Sequence, residues 1–299
     1  MRIGTLLQLR RPCISFEFFP PQTDDGVEKL MATVRGLRIL NPGFVSVTYG
    51  AGGSSRARTV EVTKRIKSEL GIESMAHVTC VGHPSDELRT LFAELEAAGV
   101  ENVMALRGDP PKGQAQFVAV QGGFRYASDL IELLAGEFSF SIGAAAYPEK
   151  HPEAASFEAD IENAVRKVRM GAEFLVTQLF FENDAYFGYV DRLRAAGVGV
   201  PVIPGIMPIT NYEQIARMTK MSGASLPQRL LVELEARSDQ PEAVAELGVA
   251  FTALQCRDLL ARGAPGLHFY TLNRSPATRA VVSALVATQA IRNLAVAPA

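Results

Sequence analysis

Short apolar runs, rich in β-branched and aromatic residues, alternate along the chain with longer stretches of helical period. Eight such runs stand out, at residues 13–19, 44–49, 75–81, 102–106, 138–147, 173–181, 200–207 and 266–272. Runs of this length, bounded by turn residues, predict strands, and the amphipathic stretches between them predict helices. A glycine falls just past several predicted helices, at Gly71, Gly99, Gly171, Gly197 and Gly263. There it suits the left-handed cap that a residue with a Cβ resists. Eight units over 299 residues give about 37 residues each, near the roughly 30 or more of a strand–helix–strand crossover.

Each run also turns polar at its C-terminal end: Glu17, Thr48 and Tyr49, His77 and Thr79, Arg107-Gly108-Asp109, Tyr147, Gln178, and Asn273-Arg274. Any one strand can end in a polar turn. So many doing so together, with unlike chemistries, points to a (β/α)8 barrel, whose active site is built at those ends. The pattern therefore predicts an α/β fold, a single (β/α)8 TIM barrel domain over residues 1–299. Two connections exceed the usual loop length. Residues 110–127, with Pro110-Pro111, Gly113 and Gly122-Gly123, read as a mobile loop over the site. Residues 210–264, between the seventh and eighth strands, read as an added helix or two.

Composition narrows the function. Hydrophobic residues make up 47% and charged residues 21%, as in a soluble globular chain and unlike a disordered one. Thirty basic and thirty-two acidic residues give a net charge of -2. With no basic stripe, a nucleic-acid partner is not expected. Cys13, Cys80 and Cys256 lie far apart with no CxxC, and read as reduced thiols in a cytoplasmic protein. The four histidines, His77, His83, His151 and His268, form no HExxH motif, so no metal is expected. No run reaches the roughly 18 apolar residues of a membrane span, and Leu6-Leu7 is too short for the apolar core of a signal peptide.

The segment Ser15-Phe16-Glu17-Phe18-Phe19-Pro20-Pro21 is the most informative for chemistry. A carboxyl between aromatics at a strand end faces desolvation, which raises its pKa and makes a general acid. A buried Glu paired to an Arg fits the same residues. No Gly-x-Gly-x-x-Gly follows a strand and no Walker A sequence occurs, so a separate nucleotide-binding domain is not expected.

Three blocks then make the chain specific: 16–21 (Phe-Glu-Phe-Phe-Pro-Pro), 45–53 (Val-Ser-Val-Thr-Tyr-Gly-Ala-Gly-Gly) and 106–111 (Leu-Arg-Gly-Asp-Pro-Pro). Followed in order by Ala146-Tyr147-Pro148-Glu149, His151-Pro152-Glu153, Thr177-Gln178, Pro204-Gly205-Ile206 and Phe269-Tyr270-Thr271-Leu272-Asn273-Arg274, they resemble the methylenetetrahydrofolate reductases across residues 14–275. The resemblance implies the same barrel. It also implies an FAD enzyme that reduces 5,10-methylenetetrahydrofolate to 5-methyltetrahydrofolate with NADH or NADPH, for methionine synthesis. Glu17 matches the general acid that protonates N10 and opens the ring to an iminium ion. Asp109 matches a residue between flavin and folate, and Gln178 an amide that meets both folate and nicotinamide.

Carried over likewise, the flavin contacts are Thr48, Tyr49, Ala51, His77, Arg107, Gly108, Asp109, Tyr126, Ala127, Tyr147, His151, Ala154, Asp160, Asn163, Arg166 and Lys167. Asp160, Asn163 and Lys167 have the spacing of one helix face, which a plain solvated face would share. The folate contacts are Asp109, Gln178, Gln214 and Arg274. Bacterial members often place a phenylalanine one turn after the position of Gln214, where this chain has Met218. With no dinucleotide domain, nicotinamide and folate are expected to alternate at one flavin face, which predicts ping-pong kinetics. A homo-oligomer is expected on family grounds, with the helix near 284–294 packing on the barrel or on another subunit. The rival readings are a barrel lyase or non-flavin pterin-binding transferase, a non-catalytic folate- or flavin-binding barrel, and the same chemistry fed by an iron–sulfur or ferredoxin-type partner. A lyase would need a Schiff-base lysine, and the strand ends offer none, Lys112 and Lys150 lying in loops.

Overall fold

A computed structural model describes residues 1–49, 56–110, 113 and 117–291. Ala51, with the glycines around it, and Pro111 and Lys112 lie outside the described residues, as do residues 114–116 of the connection 110–127 expected to be a mobile loop. Nine strands form one sheet: β1 (Cys13–Phe18), β2 (Phe44–Val47), β3 (Ser74–Thr79), β4 (Asn102–Leu106), β5 (Ser141–Ala146), β6 (Phe174–Thr177), β7 (Val202–Ile203), β8 (Gly205–Ile206) and β9 (Gly266–Tyr270). Their order is β7-β6-β5-β4-β3-β2-β1-β9-β8, with every pairing parallel. Only Pro204 separates β7 from β8 in sequence, so the sheet closes on itself. This is the predicted (β/α)8 barrel.

The seventh predicted strand is thus broken in two, for a stated reason. Proline brings no N–H to the ladder. Its carbonyl still accepts from the His268 N–H at 3.0 Å, while the Gly205 N–H turns to Thr177 Oγ1 at 2.9 Å. A Cβ on Gly205 would meet the Thr177 carbonyl oxygen at 2.2 Å and the Tyr270 hydroxyl at 2.5 Å. Closure at this point needs glycine.

Around the barrel run α1 (Ile3–Leu9), α2 (Asp24–Leu37), α3 (Arg56–Leu70), α4 (Ser85–Ala97), α5 (Ala127–Glu137), α6 (Phe157–Arg169), α7 (Asn183–Ala195), α8 (Tyr212–Ser222), α9 (Gln228–Glu235), α10 (Pro241–Ala261) and α11 (Pro276–Ala287). Three helices, α8 to α10, fill the long connection after β8, one serving as the barrel helix and two added. The five predicted cap glycines all take positive φ. On α11, Val281, Val282 and Leu285 are buried in the main core, so this helix packs on the barrel; residues 292–294 lie outside the described residues. Among the described residues no helix is long and apolar enough to cross a membrane.

Strand alternation sorts the interior. Ile14, Phe16, Phe18, Val45, Val47, Val103 and Leu267 face outward into the layer shared with the helices. Cys13, Phe44, Met75, Met104, Phe174 and Ile203 face inward near the strand starts. There α1, which the hydrophobic pattern did not reveal, closes the barrel floor with Ile3, Leu6 and Leu7. Its first amides find side chains at strand starts: the Ile3 N–H donates to Asn102 Oδ1 at 2.7 Å and the Gly4 N–H to Ser141 Oγ at 3.0 Å. The floor is apolar, and the polar inward residues are left to the opposite mouth. Leu7 is fully buried, so Leu7→Ala should cost about 2–5 kcal/mol of unfolding free energy in a urea titration. A loss below about 1 kcal/mol would show that α1 does not seal the floor.

Candidate active site

Glu17 is the last inward residue of β1, and its environment differs from the expected one. Phe16 and Phe18 point the other way, into the helix layer, so they do not desolvate the carboxyl. The barrel axis does. Glu17 Oε2 lies 3.3 Å from His268 Nε2 and 3.5 Å from His77 Nε2. The chain around it is clamped: Thr271 Oγ1 donates to the Glu17 carbonyl at 2.6 Å, and the Asn273 amide makes paired hydrogen bonds with the Phe19 backbone at 2.8 and 2.9 Å.

Burial is the largest influence on Glu17 and pushes its pKa up, as the sequence suggested. Attraction to His77 and hydrogen bonds from His268 and Ser46 oppose it and prevail, leaving the carboxyl below its ordinary value. The expectation of a raised pKa is corrected in this respect. Burial likewise pushes His77 below the ordinary imidazole value, against the attraction of Glu17.

Beside this group lie polar atoms without partners. Thr48 Oγ1, His77 Nε2 and Thr79 Oγ1 are buried and make no hydrogen bond; the 3.5 Å approach of His77 to Glu17 is too poorly placed for one. Buried polar groups are normally satisfied, so three orphans at the ends of β2 and β3 mark a place for a ligand's polar edge. Tyr49, next to them, is buried and its hydroxyl meets His83 Nε2 at 3.1 Å.

A second polar group stands at the ends of β5 and α6. Asp160 is buried and accepts from the His151 N–H at 3.2 Å. Burial raises its pKa, partly offset by Lys167. The Lys167 ammonium donates to the Ala145 carbonyl at 2.5 Å and lies 5.8 Å from the Tyr147 ring; burial pushes its pKa down to about 8, against the pull of Asp160. Tyr147 meets the His151 ring edge-on at 4.6 Å, and burial with Asp160 and Asp109 nearby raises its phenol to about 12. Asn163 and Arg166 are exposed on α6, so the predicted face holds for Asp160 and Lys167 and passes to solvent at Asn163.

The remaining expected residues ring the mouth. Arg107 is engaged by Glu153 through two bonds of 2.5 and 2.7 Å, a pairing the sequence did not reveal. Gly108 follows at φ +87°, where a Cβ would meet Val81 Cγ1 at 2.8 Å; this sharp turn presents Asp109 to solvent. Gln178 is half-buried, its Oε1 accepting from the Leu179 N–H at 2.8 Å. Ala127 opens α5, and Tyr126 before it is exposed. The Ala154 N–H donates to the His151 carbonyl at 2.9 Å. Gln214 and Arg274 come together in a polar cleft of about 280 Å³ with Asn211, Glu213 and Arg217. Met218 packs against the cluster of Leu179, Phe181, Met207 and Ile215. Sequence reasoning missed Ser15, Ser46 and His268; the period-2 alternation that puts Glu17 on the axis puts Ser15 and His268 there too.

Comparison with known proteins identifies the family. The family model described as methylenetetrahydrofolate reductase matches residues 2–286. The 5,10-methylenetetrahydrofolate reductase of Escherichia coli (strain K12) is 38% identical over 272 residues, covering 91% of this chain and 90% of the relative. Methylenetetrahydrofolate reductase (NADH) 1 of Arabidopsis thaliana is 38% identical over 283 residues, covering 91% of this chain but 48% of the relative, so the chain spans about half the length of that plant protein. A solved structure described as an uncharacterized Clostridium thermocellum protein binding two copies of 5-methyl-5,6,7,8-tetrahydrofolic acid shares the fold, with a TM-score of 0.65 at 16% identity over 98% of this chain and 100% of that one. With Glu17 on the axis of the barrel and the matching blocks around its mouth, this chain belongs to the methylenetetrahydrofolate reductase family.

Proposed function

We propose that the chain is a single catalytic barrel that reduces 5,10-methylenetetrahydrofolate to 5-methyltetrahydrofolate, with FAD as cofactor and NADH as the favoured electron donor. The observation that carries it is Glu17 on the barrel axis beside three orphaned polar atoms, in a chain of this family. NADH is favoured over NADPH because the plant relative is named for it. A cytoplasmic location and a homo-oligomer come with this reading on the family resemblance.

The residues present fit a flavin. Thr48, His77 and Thr79 offer unpartnered polar atoms to a ring edge, and Lys167 is a half-buried cation for an anionic part. Tyr49, Arg107, Gly108, Tyr126, Ala127, Tyr147, His151, Ala154, Asp160, Asn163 and Arg166 surround these at the mouth. When bound, FAD would take hydride from the nicotinamide and pass it to the folate methylene carbon. Glu17 supplies the proton to N10, Asp109 and Gln178 orient the pterin, and Gln214 and Arg274 hold the tail, where a guanidinium can pair with a carboxylate. Shared occupancy of one face by the two substrates makes the kinetics ping-pong. Met218 supplies packing without a stacking ring.

Three outcomes test this reading. The purified protein should be yellow, bleach with NADH under anaerobic conditions, and regain colour with methylenetetrahydrofolate; a protein that binds no flavin would refute it. Glu17→Gln should slow the folate half-reaction by roughly 10²–10⁴-fold while flavin reduction by NADH stays within a few-fold, and equal loss of both would remove Glu17 from the acid's role. Lys167 is charged below about 8 and neutral above, so flavin affinity, measured by fluorescence titration, should weaken as pH rises through that value. Lys167→Met should flatten the dependence; an unchanged profile would show that Lys167 does not meet the cofactor.

A further inference from the structure

The proposed acid needs a proton at hand, and the hydrogen bonds around Glu17 show where it is kept. We propose that Ser15 and His268 are positioning residues that hold one shared proton in the His268–Glu17 contact and reload the carboxyl from it in each turnover. This rests on Glu17 being the general acid.

His268 lies on β9, wholly buried, with the Phe44 ring stacked on it at 5.8 Å and the Tyr270 ring edge-on at 5.6 Å. Its Nδ1 is 2.8 Å from Ser15 Oγ. The Ser15 hydroxyl has one proton and two neighbours that can accept it, Nδ1 and the Leu267 carbonyl at 3.3 Å. In the proposed arrangement the carbonyl takes it, the Ser15 lone pair faces Nδ1, and Nδ1 carries a proton. On the other side of the ring, Nε2 faces Glu17 Oε2 at 3.3 Å. With Nδ1 already protonated, a bare Nε2 against a bare carboxylate would set two acceptors face to face in a buried site. In that arrangement one proton lies between them. The pair is either imidazolium with carboxylate or neutral imidazole with carboxylic acid, and both hold the same count.

The other groups facing the pair do not compete for that proton. His77 on β3 is pushed by burial below the ordinary imidazole value. Ser46 on β2 reaches His268 Nε2 at 3.5 Å as a hydroxyl. Tyr270 on β9 and Tyr147 after β5 are phenols whose pKa values burial pushes up. Before substrate binds, the pull of the histidine keeps Glu17 ionised. A substrate that covers the site and removes its remaining access to solvent makes the ion pair costlier than the neutral pair. The Nε2–H bond then breaks and an Oε2–H bond forms. The acid passes this proton to N10 as the N10–methylene bond opens and its electron pair stays on N10. That leaves a carboxylate and a neutral imidazole, and one proton from water restores Nε2–H.

The test reads the imidazole nitrogens of the flavin-loaded protein by ¹⁵N–¹H NMR with labelled histidine. His268 should show a protonated Nδ1 in the wild type, with Nε2 also protonated before folate is added. In Glu17→Gln, whose amide can donate to Nε2, it should be the neutral Nδ1–H form. A neutral Nε2–H tautomer with bare Nδ1 in the wild type would overturn the proposal. Independently, Ser15→Ala should lower the ratio of the folate half-reaction rate to the flavin-reduction rate at least tenfold and move the high-pH loss of the folate half-reaction to lower pH. An unchanged ratio and profile would overturn it as well. The tautomer is read on the unaltered chain, so it decides even where Ser15→Ala fails to fold. It can fail while the Glu17→Gln result still supports the acid role.

Discussion

Closing a parallel sheet into a barrel leaves every second side chain on each strand with one place to go, the axis. At the strand starts this is harmless, because Cys13, Phe44, Met75, Met104 and Phe174 are apolar and α1 caps them. At the strand ends the same constraint gathers Glu17, His77 and His268 into one buried space. They cannot turn to water, so each is paired with another or left with an orphan. The site follows from that geometry: three strands each contribute an ionisable group, and no loop rearrangement is needed to bring them within hydrogen-bonding reach.

Register decides which groups meet. β1 and β9 align Ser15 with His268 and Glu17 with Tyr270. A slip of one residue would send Glu17 into the helix layer in place of Phe16. The register is pinned at the β7–β8 break, where the Pro204 carbonyl takes the His268 N–H and Gly205 packs against Thr177 and Tyr270. The break in the seventh strand is thus part of how His268 is held. It lies beside the site and is tied to it through the backbone of one histidine.

Much of this was legible in the chain. The strand positions follow from alternating apolar runs, and the capping glycines mark where helices end. The barrel and the mouth residues follow from those two signals. The missing part is what sequence distance hides. Nothing local says that Ser15 and His268, 253 positions apart, share a hydrogen bond, or that Glu153 occupies Arg107. The phenylalanines flanking Glu17 looked like its solvent shield because they are its neighbours in sequence. Strand alternation puts neighbours on opposite faces, so they are the two residues least able to touch it. The α1 plug was hidden for another reason: seven residues are too few to show a helical period.

The two buried ionisable clusters at the mouth differ in what they ask of the fold. In the first, hydrogen bonds and the histidine's charge offset the burial of Glu17, and its lowered pKa means the native state gains from its ionisation. That gain is present above the unfolded carboxylate value and is lost as pH falls through the lowered one. Lys167 works in the opposite sense. Its pKa falls from 10.5 to about 8, so the unfolded chain binds the proton more tightly and stability rises with pH between those values. Below about 8 the charge is held at a cost on the order of 3 kcal/mol, at about 1.4 kcal/mol per pH unit. The pull of Asp160 offsets only part of it. A fold selected for stability alone would have no reason to keep an ammonium there. An anion at the mouth would remove the cost, and the strain at Lys167 is therefore a physical argument for a bound anionic group that is independent of any resemblance.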